Sequence, residues 1–147
     1  MNSRDKRELA LFIAKSYLGR WYKWGGDDPS GFDCSGLIIE CLKSVGCLPR
    51  HGDWTAHRLA TSMSWPKIRQ EEVRPGDLVF WGHKDTIDRI IHVEMCMNSY
   101  ISIGASGGGS RTRTTNDAMS DNAFIKIRPI NSRNNVWGFI NPYGDDV

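Results

Sequence analysis

Apolar residues recur at helical spacing through the first third of the chain and at strand-like alternation after Pro66. Leu9, Phe12, Ile13 and Tyr17 share one helix face, with Ser3 as a candidate cap and Gly19 as a stop. Leu37, Ile38, Cys41, Leu42 and Val45 form a second stripe, which Asp33 can cap and Gly46 can end. A shorter helix is predicted from Thr55 to about Met63. Arg20 to Gly31, with its aromatics, glycines and Pro29, reads as a loop.

The later half predicts strands. Asp77 to Trp81 follows the turn Arg74-Pro75-Gly76, and His92 to Met97 with Tyr100 to Ile103 reads as a hairpin turning at Asn98-Ser99. Ala123 to Arg128 and Val136 to Ile140 are two further strands. The strands lie too close together for βαβ crossovers, so the pattern predicts an α+β fold with N-terminal helices packed on an antiparallel sheet. One domain over residues 1–147 is expected, because no repeat or linker divides the chain. Ser106 to Asn122 reads as one long polar loop, of the kind that borders functional sites.

Composition narrows the function classes. The apolar fraction of 39% and charged fraction of 24% are those of a soluble globular protein, and a net charge of +2 is too small to argue for nucleic acid. No apolar run is long enough to span a membrane. The charged start Met1 to Arg7 is followed by an apolar stretch broken by Lys15, without a small-residue cleavage site. Synthesis in the cytoplasm without a signal peptide is therefore expected, with reduced thiols. Cys34, Cys41, Cys47 and Cys96 form no CxxC pair and have no histidine at zinc spacing, so no metal is expected. Cys41 and Cys96 read as core residues, as do most of the six tryptophans.

Two residues carry candidate chemistry. Cys34 falls in the first turn of its helix, where the dipole and free N–H groups favour a thiolate and can hold an oxyanion, and Gly31 and Gly36 allow close approach. Far downstream, His92 lies in an alternating strand with Glu94 and Cys96 on the same face. A cysteine and a distant histidine brought together by folding are what thiol-based acyl transfer requires. His83 is the rival base, and His51 and His57 are expected at the surface. Gly104 to Ser110 lacks the Lys-Ser/Thr ending of a phosphate loop and reads as a flexible rim; Arg111, Arg113 and Lys126 are candidate partners for substrate carboxylates.

Tyr22-Lys23-Trp24-Gly25-Gly26, Gly31-Phe32-Asp33-Cys34-Ser35-Gly36-Leu37, Arg74-Pro75-Gly76-Asp77-Leu78-Val79-Phe80-Trp81 and Ile91-His92-Val93 occur in that order. Together they resemble the NlpC/P60 family of papain-like cell-wall peptidases. The resemblance implies Cys34 as nucleophile, His92 as general base and Tyr22 as a site tyrosine near nucleophile and oxyanion. It implies Asp33, Ser35 and Trp24 on the substrate-binding side, Asp33 doubling as a helix cap. No metal or organic cofactor is implied.

At one position the sequence departs from the family pattern. A third polar residue, most often histidine, usually follows the base by about a dozen residues, where this chain has Gly104. Glu94 is the first candidate to orient His92 instead; a backbone carbonyl or water, or a polar group from the 106–122 loop, are others, and a weak or silent site is the remaining alternative. The resemblance implies a peptidoglycan stem peptide as substrate, cut between D-γ-glutamate and a diamino acid. The expected carrier is a phage endolysin or tail-associated lysin, reaching the wall through a pore, a tail or a secretion system. The alternatives are an injected bacterial effector with an immunity-protein partner and a silent binding or tail-assembly module; neither nucleic acid nor membrane is an expected partner.

Overall fold

The computed structural model describes residues 1–28, 31–52, 54–109 and 111–144; Pro29 and Ser110 lie outside the described residues. Helix α1 (Ser3–Ser16) is capped by Asn2 rather than Ser3, its side chain accepting from the Asp5 N–H at 2.8 Å. Its buried face also differs from the expected stripe. Arg7, Ala10, Leu11 and Ala14 point inward, whereas Phe12 is 68% exposed and Leu9 lies at the surface. The two alanines let α1 lie close against its neighbours, and Arg7 is drawn inside by a buried carboxylate. Ile13 and Tyr17 pack at the margin of the core.

Helix α2 (Cys34–Ser44) follows expectation: Asp33 caps it, and Leu37, Ile38, Cys41 and Leu42 are buried. Helix α3 (Ala56–Thr61) is capped by Thr55, which accepts from the Arg58 N–H. The segment expected to be loop before α2 contains a two-residue hairpin, β1 (Asp27–Asp28) with β2 (Gly31–Phe32).

Six further strands form one sheet: β3 (Lys67–Ile68), β4 (Leu78–Gly82), β5 (Ile90–Cys96), β6 (Ile101–Ser106), β7 (Phe124–Pro129) and β8 (Val136–Ile140). Their order is β3-β8-β4-β5-β6-β7, and every pairing is antiparallel. The expected loop between β6 and β7 holds a short helix, α4 (Thr115–Asp121). Only Ala118 of that helix is buried, so no apolar stripe marked it. Its signal is the capping box, in which Thr114 accepts from the Asp117 N–H and Asp117 from the Thr114 N–H.

Alternation along the strands builds two faces. Leu78, Phe80, Val93, Met95, Ile103, Ala105 and Ile125 join the helices in the main core. Val79, Trp81, Cys96 and Phe139 form a smaller cluster on the opposite face with Ile130. β5 and β6 pair only at Met95–Ile103 and Cys96–Ser102, then continue without pairing to each other, and α2 packs on both.

A buried ion pair ties α1 to the turn before β4, and the same guanidinium reaches the segment after β8. Arg7 Nη1 donates to Asp77 Oδ1 at 2.5 Å, and Nη2 donates to Asn141 Oδ1 at 3.1 Å. The guanidinium lies 4.8 Å from the Tyr143 ring centre, and the Tyr143 hydroxyl donates to the Gly76 carbonyl. Asp77→Ala strands Arg7 inside without its carboxylate, so a loss of about 3–5 kcal/mol is expected in urea unfolding. Phe12→Asn, on the exposed face, is expected to change stability by no more than about 0.5 kcal/mol.

Candidate active site

Cys34 opens α2, so its thiol leaves the helix from the turn whose backbone N–H groups have no intrahelical partner. It is half-buried and in hydrogen-bond contact with His92. His92 is buried on β5, and its Nε2 lies 2.6 Å from Glu94 Oε2. That contact leaves Nδ1 for the thiol. The other carboxylate oxygen, Oε1, accepts from the Ser102 hydroxyl at 2.8 Å. Trp81 backs the imidazole, its ring centre 5.2 Å away. Cys34, His92, Glu94 and Ser102 thus stand in one line of contacts.

Gly104 explains how Glu94 fits. Glu94 and Gly104 flank the last paired positions, Met95 and Ile103, and the Glu94 side chain lies over the glycine. A Cβ at position 104 would stand 2.4 Å from Glu94 Cγ and 2.9 Å from Cδ. A side chain at 104 and the carboxylate at 94 therefore exclude each other, and this chain has the carboxylate.

The electrostatics follow from these contacts. Burial alone would discharge His92, but its hydrogen bonds to Cys34 and Glu94 outweigh burial and raise its pKa above the ordinary histidine value. Burial likewise works against charge on Glu94, yet His92, Ser102 and the nearby Arg128 hold it below the usual carboxylate range. The buried pair is thus biased towards carboxylate and imidazolium.

Tyr22 is buried beside the thiol, with Gly108 lying against its ring. Burial first, then the charges of Cys34 and Asp33, push its phenol well above the ordinary tyrosine value. It therefore faces the site as a neutral O–H donor. Asp33 Oδ1 accepts from the Gly36 N–H at 2.7 Å and from the Ser35 hydroxyl at 3.3 Å, while Oδ2 accepts from the Gly25 N–H at 3.0 Å. The cap thereby straps the Tyr22–Gly26 segment to the helix start. The contact is close enough that a Cβ on Gly36 would lie 1.9 Å from the Gly26 carbonyl oxygen.

These groups border a cavity of about 570 Å³. Cys34, His92, Tyr22, Asp33, Ser35 and the half-exposed Trp24 all line it, and Glu94 stands behind His92 rather than in it. His83 is elsewhere, accepting from the Asp85 N–H in the β4–β5 loop. Gly107 to Gly109 form the expected rim. Arg111, Arg113 and Lys126 do not line the cavity; Lys126 instead donates to the Asn122 carbonyl. Among the described residues, the lysine and arginine side chains at the cavity are Lys43 and Arg133, with His57 and Trp54 also lining it, and no sequence motif marks any of them. Arg133 reaches the site because β8 pairs with β4, next to the strand that carries His92, an adjacency that no local pattern announces. His57 is exposed as expected, but its Nδ1 accepts from the Ile90 N–H, tying α3 to the start of β5.

The sequence profile of the NlpC/P60 family matches residues 19–129. The chain belongs to the NlpC/P60 family. Probable endopeptidase p60 of Listeria seeligeri is 35% identical over 97 residues, covering 65% of this chain and 17% of that protein. The bifunctional muramidase/DL-endopeptidase CwlT of Bacillus subtilis is 39% identical over 93 residues, covering 62% of this chain and 26% of that protein. The chain thus spans about a quarter or less of these relatives. The crystal structure of the NlpC/p60 domain of peptidoglycan hydrolase SagA superposes with a TM-score of 0.66 at 25% identity, covering 92% of this chain and 97% of that one. An NlpC/P60 family protein from Bacillus cereus superposes at 0.71 and 22% identity, covering 94% and 40%, which supports the fold alone. The α+β fold expected from the sequence is that of NlpC/P60 domains.

The four thiols of this NlpC/P60 chain differ in setting. Burial pushes Cys41 up to about 12 and raises Cys47 and Cys96 above the ordinary thiol value. Cys34, half-buried beside an imidazole, is expected to react with iodoacetamide at neutral pH at least about tenfold faster than the others. Peptide mapping after brief labelling checks this, and uniform slow labelling would contradict it.

Proposed function

We propose that this chain is a cysteine endopeptidase that hydrolyses an amide bond in peptidoglycan stem peptides, the bond between D-γ-glutamate and the following diamino acid. The observation that carries the reading is the buried 2.6 Å contact between His92 and Glu94 behind a half-buried thiol at a helix start. The endopeptidase names of the relatives support the reaction class and the wall as its site.

The steps use groups already in place. His92 takes the Cys34 proton through Nδ1, and the sulfur attacks the amide carbonyl carbon. The oxyanion is met by backbone N–H groups of the first turn of α2 and by the Tyr22 hydroxyl. As the tetrahedral intermediate collapses, the C–N bond breaks and His92 returns the proton to the leaving amine. Water then attacks the thioester carbonyl, with His92 as base, releasing the carboxylic acid and the thiol. Glu94 acts as the positioning residue, holding the Nε2–H tautomer and stabilising the imidazolium.

A silent binding module on the same fold draws its support from Gly104. Glu94 filling the space above that glycine supports the enzyme instead.

Mass spectrometry of products from diamino-acid-type peptidoglycan tests the reading. Fragments with a fresh amino terminus on the diamino acid are expected from the intact chain and not from Cys34→Ala. Cys34-dependent products of other masses would move the bond, and no release by folded protein would contradict the enzyme. The Glu94 assignment has its own test. Glu94→Ala is expected to lower kcat/KM about 10²- to 10⁴-fold, as loss of an orienting carboxylate does. Glu94→Ala with Gly104→His places a ring in the vacated space and is expected to recover at least about tenfold of that loss. A double variant slower than Glu94→Ala would contradict the exchange of one orienting group for the other.

A further inference from the structure

The catalytic cavity contains a cation that the chemistry above does not use. Arg133 lies between β7 and β8, is half-buried, and lines the cavity with Cys34, Tyr22 and His92. Among the described residues, its guanidinium has no carboxylate partner and no side-chain hydrogen bond, whereas Arg7 sits on Asp77 and Arg69 on Glu72. A partly desolvated charge without a partner is costly, and folded proteins ordinarily give such a group a counter-charge. Burial pulls the Arg133 pKa below the usual arginine value, and the anionic forms of Cys34, Glu94 and Tyr22 pull the other way. The charge remains, because a guanidinium is not discharged at neutral pH.

The residue is also held in place. Its carbonyl accepts from Trp81 Nε1 at 3.3 Å, and Trp81 is the ring packed on His92. Two residues on, Asn135 takes a left-handed backbone with φ of 69°, and its carbonyl accepts from the Gly82 N–H at 2.9 Å. Both anchors belong to β4, so the backbone carrying Arg133 is fixed relative to the imidazole. Among the described residues, the other lysine, arginine or carboxylate side chains lining the cavity are Lys43 and Asp33, and Asp33 is already engaged by the helix cap, by Ser35 and by Gly25.

We infer that Arg133 is the substrate-binding residue for a free carboxylate carried next to the scissile amide, making the enzyme selective for stem peptides whose γ-linked residue keeps its α-carboxylate over those in which it is amidated. The inference rests on the proposed peptidase reading. A γ-linked glutamyl residue is acylated onto the nucleophile through its side-chain carboxyl, so its α-carboxylate stays close to the sulfur, on the region Arg133 borders. A planar guanidinium matches that carboxylate with two parallel N–H donors; a carboxamide offers one acceptor and no charge.

The test compares two synthetic stem peptides that differ only in having the free α-carboxylate or the carboxamide on the γ-linked residue. The intact chain is expected to cleave the acid with kcat/KM about 10- to 100-fold higher, the difference lying mainly in KM, which is the range of a charge-assisted hydrogen-bonded contact. Arg133→Met should lose the preference by raising KM for the acid while leaving the amide nearly unchanged, and Arg133→Lys should keep part of it. The rate of Cys34 alkylation should fall far less than KM for the acid rises in both variants. Equal cleavage of the two peptides by the intact chain would overturn the inference. So would Arg133→Met slowing both peptides equally together with slower alkylation, which would make Arg133 a support for the thiolate. If neither peptide is cleaved, the γ-glutamyl bond assignment fails and the same comparison is made on Cys34-dependent fragments released from amidated and non-amidated walls. A preference for the non-amidated wall that Arg133→Met abolishes would then sustain the carboxylate contact, while equal release, or none, would overturn it.

Discussion

The contact between His92 and Glu94 is the constraint around which the site is arranged. A buried imidazole beside a thiol needs a fixed tautomer and a counter-charge to serve as base and then as acid, and both come from a carboxylate two residues along the same strand. The cross-strand neighbour must then have no side chain, because a Cβ at Gly104 would overlap Glu94. Ser102, two residues before that glycine, donates to the remaining carboxylate oxygen and keeps the pair satisfied inside the protein. A glycine where the family pattern has a polar residue is, in this chain, the space for another residue's carboxylate.

The rest of the fold brings a helix start to that pair. Asp33 ends the preceding loop, caps α2 and straps the Tyr22 segment to it, so one side chain positions both Cys34 and the tyrosine beside it. β5 and β6 part after two paired positions, and α2 packs on both. Away from the site, Arg7 and Asp77 join α1 to the start of β4, the strand whose Trp81 backs His92 and holds the Arg133 carbonyl. Scaffold and chemistry therefore share β4.

Much of this is legible in the sequence because the signals are local. The 3.6-residue stripe of α2, the Asp33 cap and the alternation that sets His92 and Glu94 on one strand face all depend on neighbours a few residues away. What escaped depends on distant partners. The inner face of α1 departs from its apolar stripe because Arg7 outranks Phe12 once Asp77 is buried beside it. The meaning of Gly104 depends on how β5 meets β6, and the presence of Arg133 at the cavity depends on β8 lying beside β4. Helix α4 lay hidden in a polar stretch with a single buried residue, although its capping box was there to be read.

The most direct test of this account is an NMR titration of the His92 ring in the intact chain and in Glu94→Gln. The native ring is expected to keep its charge to a pH above the ordinary histidine value and to carry its neutral-form proton on Nε2. With glutamine at 94, the charge should be lost at lower pH, because the carboxylate's hydrogen bond and charge both raise the His92 pKa. An unchanged titration in Glu94→Gln, or a native ring protonated on Nδ1, would contradict the claim that Glu94 orients the base.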